Sequence, residues 1–161
     1  MKRASDFVET VQCWFSMILF IVFLVCVVIQ ILSRYVPFIK VIGTEEIATY
    51  SFVWAILMGA AVMLKRNEHF AFEFFRTRVK GVPHIVTEAV IYGLIIAFSL
   101  YLTYSGVQLT KQFWNWNLTA LNFISQRYIW SSLIVCGATM SFYGVCNLIE
   151  VFQNKDKEEI A

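Results

Sequence analysis

Four long stretches without an ionisable side chain limit what this chain can become. Residues 10–33, 47–64, 89–110 and 128–149 contain no Asp, Glu, Lys, Arg or His. Three of them have at least 22 residues and the second has 18. At 1.5 Å per residue such helices run about 27–36 Å, which matches the hydrocarbon core of a bilayer at ~30 Å. Composition agrees: 59% of the 161 residues are apolar and 15% charged, where soluble chains average ~45–50% and ~25%. The expected fold class is an all-α membrane protein with four transmembrane helices. The spans should lie near residues 10–33, 45–64, 86–110 and 128–150 of one domain covering 1–161.

The first stretch exceeds the ~7–15-residue apolar core of a cleaved signal peptide. Its end, Gln30-Ile31-Leu32-Ser33-Arg34-Tyr35, offers no small-residue cleavage site, so it is expected to stay as a membrane helix. Pro37 and Gly43 break the connection that follows. Thr44 is the expected N-cap of the second helix. Glu45 and Glu46 fall in its first turn, where negative charge suits the helix dipole. Along that helix Ser51, Ala55 and Gly59 recur every fourth residue, a face that lets another backbone come close. Gly93, Ala97 and Ser105, and later Gly137 and Ser141 with Gly144, mark similar faces on the third and fourth spans.

Residues 65–83 form the most basic connection. Wound as a helix, Phe70, Phe72, Phe74 and Phe75 fall on one side and His69, Glu73, Arg76 and Lys80 on the other. That pattern predicts a short amphipathic helix over about 68–80 in the headgroup plane, with Phe70, Phe74 and Phe75 as anchors. Trp114, Trp116 and Trp130 flank the last connection as an interfacial aromatic belt would. Counting Lys and Arg gives nine on the side of both termini and the 65–83 segment, and four on the other side: Arg34, Lys40, Lys111 and Arg127. By the positive-inside rule both termini are expected to be cytoplasmic.

Little chemistry can be assembled from these residues. The spans lack the intramembrane ionisable groups that pumps and channels keep for function, the polar groups within them being chiefly Gln30, Gln108 and Asn147. His69 and His84 share one loop, so they cannot sandwich a haem between helices. The four cysteines, Cys13, Cys26, Cys136 and Cys146, show no metal-ligand spacing and read as small buried hydrophobes. No phosphate-binding glycine loop or catalytic triad is present, and a net charge of +2 without a basic stripe argues against nucleic acid. No enzyme activity, metal or cofactor is expected. The function should come from packing against another protein, with a self-contained homo-oligomeric transporter or channel as the alternative.

One resemblance narrows this. Arg34-Tyr35 closing the first span and Glu45-Glu46 opening the second are followed by Phe52-x-Trp54, Gly59-Ala60 and Lys65-Arg66-Asn67-Glu68-His69-Phe70. In this order, over nearly the whole chain, they resemble the small membrane subunit of tripartite ATP-independent periplasmic (TRAP) transporters. The resemblance implies a bacterial inner-membrane protein that joins a large multi-span subunit. That large subunit moves substrate and sodium as an elevator, and a periplasmic substrate-binding protein supplies an organic acid such as sialic acid or a C4-dicarboxylate. The small subunit would enlarge and anchor the static scaffold among the lipids. Candidate contacts with the large subunit or the periplasmic protein are Arg34, Glu45, Glu46, Lys111 and Arg127, with Ser51, Ala55 and Gly59 as a helix-packing face.

Overall fold

The computed structural model describes residues 2–36, 43–66, 82–118, 120–122 and 124–158, with side chains over 5–36, 43–66, 87–118, 120–122 and 124–149. Four helices make up the described chain: α1 (Lys2–Tyr35), α2 (Thr44–Lys65), α3 (Val82–Gln112) and α4 (Arg127–Glu158). Each contains a segment long and apolar enough to cross a membrane: Ser5–Tyr35, Thr44–Lys65, Thr87–Gln112 and Arg127–Ile149. The protein is an all-α membrane protein. The amphipathic segment expected at 68–80, with Phe70, Phe74 and Phe75, lies outside the described residues.

Side-chain contacts give the topology. Ser16 meets Ala55 and Phe23 meets Phe52, so α1 and α2 run antiparallel. Ser99 meets Ser141 and Ile96 faces Gly144, so α3 and α4 do the same. The two hairpins join through α2 and α4, which run parallel: Trp54 reaches Tyr128, Leu57 meets Cys136 and Leu64 meets Asn147. Both described chain ends therefore lie at one end of the bundle, and the α3–α4 loop lies at the other. Burial follows this order. In the most apolar stretch of each helix, 39% of the α2 residues are buried inside the chain against 6% of those of α1, so α2 is central and α1 peripheral.

Small residues set the spacing. A Cβ on Gly137 would stand 2.6 Å from the Ser99 carbonyl oxygen and 2.9 Å from the Thr103 amide, closer than any side chain tolerates. Glycine there lets α4 touch the α3 backbone. Ser99 and Ser141 hydrogen-bond across the same seam at 2.7 Å. The Ser51/Ala55/Gly59 face is used within the chain: Ser51 and Ala55 are buried, and the Ser16 hydroxyl donates to the Ala55 carbonyl at 2.9 Å. The Gly93/Ala97 face differs, because both residues are exposed and, among the described residues, nothing lies within 4 Å of a Cβ built on Gly93.

The helices also outrun the uncharged stretches. α1 already begins at Lys2, and α4 continues to Glu158, so its 32 residues reach about 48 Å, well past the hydrocarbon core. The helix start at Thr44 corrects one expectation. Gly43, not Thr44, is the N-cap; its φ of 91° is left-handed, and no side chain caps the helix. Thr44 is instead the first helical residue and is buried.

Candidate functional site

The polar side chains gather at the two ends of the bundle. At the end that carries the described chain ends, Lys65 closes α2 and bridges two carboxylates of α1. Its ammonium donates to Glu9 at 2.6 Å and to Asp6, while Arg66 donates to the other Glu9 oxygen at 2.7 Å. Lys65 and Glu9 are largely shielded, with side-chain exposures of 13% and 16%, whereas Asp6 is 68% exposed. One turn deeper, the Gln12 side chain is buried between α2 and α4. Its amide nitrogen donates to Thr139 Oγ1 at 3.0 Å and approaches Met58 Sδ at 3.5 Å, and its oxygen accepts the Tyr143 hydroxyl at 2.7 Å. Inside hydrocarbon such groups have no water to fall back on, so these bonds fasten α1 to the central helices.

Sequence reasoning passed over Gln12. A signal was present: Glu9, Gln12 and Ser16 follow at i+3 and i+4, one polar face on an otherwise apolar helix. All three contact α2.

At the opposite end, the α3–α4 loop folds back on itself. Asn117 and Ser125 form an isolated antiparallel bridge, Leu118 N–H donates to the Ile124 carbonyl at 3.0 Å, and Gln126 N–H to the Trp116 carbonyl at 2.8 Å. Glu46 clamps this loop to α2: its two carboxylate oxygens accept the Ala120 and Leu121 amides, each at 2.9 Å. Leu121 packs so close to Gly43 that a Cβ there would stand 2.8 Å from its Cδ2, which, with the left-handed φ, fits only glycine. The paired glutamates thus divide. Glu46 is turned inward on the loop, while Glu45 is exposed, its backbone carbonyl accepting the Thr49 hydroxyl.

The remaining candidates differ in exposure. Arg34 and Lys111 are exposed at this same end. Arg127 is half-buried, its guanidinium carbon 4.8 Å from the Trp114 ring centre and 5.2 Å from that of Tyr128. Trp114 and Trp116 are exposed. Trp130 is half-buried, stacked on Phe113 at 5.5 Å, and its indole N–H is buried. Ser51 and Ala55 are enclosed by the chain's own helices, and Gly59 lies 3.6 Å, measured from a built Cβ, from Ser16 Oγ.

Among the described residues no group of three or more His, Cys, Asp or Glu could hold a metal ion, and the four cysteines are free thiols. What the arrangement provides is a fixed shape. One end is pinned by ions, the other by a clamped loop, and broad apolar faces of α1 and α3 are left open on the outside.

Comparison with known proteins gives the shape a family. Residues 23–154 match the family described as tripartite ATP-independent periplasmic transporters, DctQ component. The chain is also 25% identical over 136 residues to the sialic acid TRAP transporter permease protein SiaT of Haemophilus influenzae. That match covers 84% of this chain but only 22% of the relative, so the chain spans about a fifth of the length of the relative it matches. With the family match running from the second half of α1 through the other three membrane helices, the chain belongs to the DctQ components, the small membrane subunits of TRAP transporters.

Proposed function

We propose that this chain is a non-catalytic permease subunit that anchors and enlarges the static scaffold of a large, elevator-type TRAP subunit. The supporting observation is the family match together with the distribution of polar groups: the ion cluster and the loop clamp tie the chain to itself. Neither leaves a charged path through the spans. The relative called a permease carries most of its length outside the matched part, and we assign the substrate and sodium path to a large multi-span subunit of that kind. On this reading the termini face the cytoplasm of a bacterium, across its inner membrane. A periplasmic substrate-binding protein delivers an organic acid, a carboxylate such as sialic acid or a C4-dicarboxylate, to the opposite end.

A scaffold that must stay level while its partner moves needs rigid ends and an apolar outside. Glu46 holds one end by reaching from α2 to the loop, and Lys65 holds the other by reaching from α2 to α1. Exposed Arg34, Glu45 and Lys111 are our candidates for contact with the large subunit or the docked periplasmic protein. The outward faces of α1 and α3 offer the apolar area a membrane partner would cover.

The test is co-purification followed by uptake. The tagged chain, expressed with its neighbouring genes and extracted in mild detergent, should bring a large polytopic protein with it in fixed ratio. Sodium-driven uptake of a carboxylate should require the chain, while substitutions in it leave substrate choice unchanged. A substitution here that switches the substrate, or a stable homo-oligomer purified alone, overturns the proposal.

A further inference from the structure

Arg127 is the first residue of α4, where the positive end of the helix dipole disfavours a cation. Among the described residues nothing offsets this: the Arg127 side chain makes no hydrogen bond or ion pair there, and the ion pairs found lie at the other end of the bundle. The Trp114 and Tyr128 rings hold its guanidinium at 4.8 and 5.2 Å. Aromatic faces fix the position of the cation but accept none of its five N–H donors. The first amides of the helix are already taken, Tyr128 N–H by the Ser125 carbonyl and Ile129 N–H by the Gln126 carbonyl. Electropositive character therefore concentrates on the guanidinium edge. Lys111, exposed and with no side-chain hydrogen bond or ion pair among the described residues, stands in the last turn of α3, three residues before Trp114.

The surroundings indicate which anion belongs here. Trp114, Trp116 and Tyr128 are 53%, 61% and 50% exposed at the ends of two membrane helices. Such rings settle at the depth of lipid headgroups. At that depth the abundant anion is a phosphodiester, and the planar fork of a guanidinium matches two phosphate oxygens. A choline or ethanolamine head would bring its own cation, neutralising the phosphate and competing with Arg127 for the same rings. We propose that Arg127, held by Trp114 and Tyr128 and supported by Lys111, binds the phosphate of an anionic phospholipid from the leaflet at the loop end. Such a site would tie α4 and the end of α3 to the membrane surface. It rests on the membrane fold alone and does not depend on the transporter reading.

The test is a titration of the full chain in mild detergent with phosphatidylglycerol, read by native mass spectrometry. Phosphatidylcholine serves as the second probe and millimolar inorganic phosphate as the competitor. The expected result is that the wild type prefers phosphatidylglycerol, that Arg127→Gln weakens it about tenfold, and that Arg127→Lys falls between. Arg34→Gln, which removes an exposed cation at the same end, should bind as wild type does. Trp114→Ala keeps the charge but removes a ring that positions it, and should weaken binding severalfold even if Arg127→Gln does not fold. Unchanged phosphatidylglycerol affinity in both Arg127→Gln and Trp114→Ala overturns the proposal. Displacement by inorganic phosphate would make this a free-anion site and overturn the lipid assignment. The same holds if Arg127→Gln loses a co-purifying protein while its lipid affinity stays at the wild-type value.

Discussion

The Tyr143 hydroxyl donates to the Gln12 side-chain oxygen across 2.7 Å and so joins the outermost helix to a central one. Tyr143 is fully buried and Gln12 is 6% exposed, so neither has an alternative partner in water. Removing one leaves the other unsatisfied, at about 1–3 kcal/mol. Gln12→Leu and Tyr143→Phe are each expected to destabilise the protein in detergent-titration unfolding. Their effects should not add: the double variant should fall short of the sum by about 0.5–3 kcal/mol, because the shared bond is lost only once. Additive losses would mean that the two groups act independently.

The ion cluster one turn away should respond unevenly. Glu9 accepts from both Lys65 and Arg66 and is shielded, while Asp6 shares only Lys65 among the described residues and is 68% exposed. Exposed pairs contribute little because water and salt screen them. Asp6→Asn is therefore expected to shift stability by less than about 0.5 kcal/mol. Glu9→Gln, which leaves two cations facing a neutral amide, should cost about 1–3 kcal/mol. Melting curves at low and high salt would check this, and the gap between the variants should narrow as salt rises.

The glycines divide by what surrounds them. On Gly137 a methyl group would press on the Ser99 carbonyl and the Thr103 amide, both backbone atoms that cannot move unless α3 moves. Gly137→Ala should destabilise the bundle by about 1–3 kcal/mol. Gly93→Ala meets no other atom among the described residues and replaces a poor helix former, so it should be neutral or stabilising by up to about 1 kcal/mol. Thermal unfolding of the isolated chain gives both signs. A loss of stability at Gly93 would show that α3 packs differently in solution.

These contrasts mark where the sequence is legible. Helices and their number follow from the uncharged stretches, because a backbone in lipid must satisfy its own hydrogen bonds and a helix does so locally. Small residues at i+4 flag contact faces, but both Ser51/Ala55 and Gly93/Ala97 carry that signature while only the first is buried. Whether such a face is covered depends on the relative placement of helices that are distant in sequence. The stacking of Trp130 on Phe113 across the loop is hidden for the same reason. Gln12 escapes notice because one amide barely alters the apolar character of a helix, although its partners lie 127 and 131 residues away. Gly43 holds the N-cap place expected of Thr44, in a left-handed backbone against which Leu121, distant in sequence, is packed.

Glu45 and Glu46 are adjacent in sequence and opposite in consequence. Both suit the start of α2, where a carboxylate offsets the helix dipole. Only Glu46 spends both oxygens on the Ala120 and Leu121 amides. Each is a charge-assisted bond, and these are roughly twice as strong as neutral ones. Glu46→Gln keeps one acceptor and should loosen the loop, and Glu46→Ala should release it. Amide hydrogen exchange at Ala120 and Leu121 is expected to speed up about tenfold or more in Glu46→Ala, corresponding to a loss of about 1.4 kcal/mol. Glu45→Gln should leave exchange at those amides unchanged. If exposed Glu45 meets a partner protein, Glu45→Gln should instead weaken co-purification or uptake while the isolated chain melts as before. Equal exchange in the two glutamate variants would show that the loop holds itself through the Asn117–Ser125 bridge without the clamp.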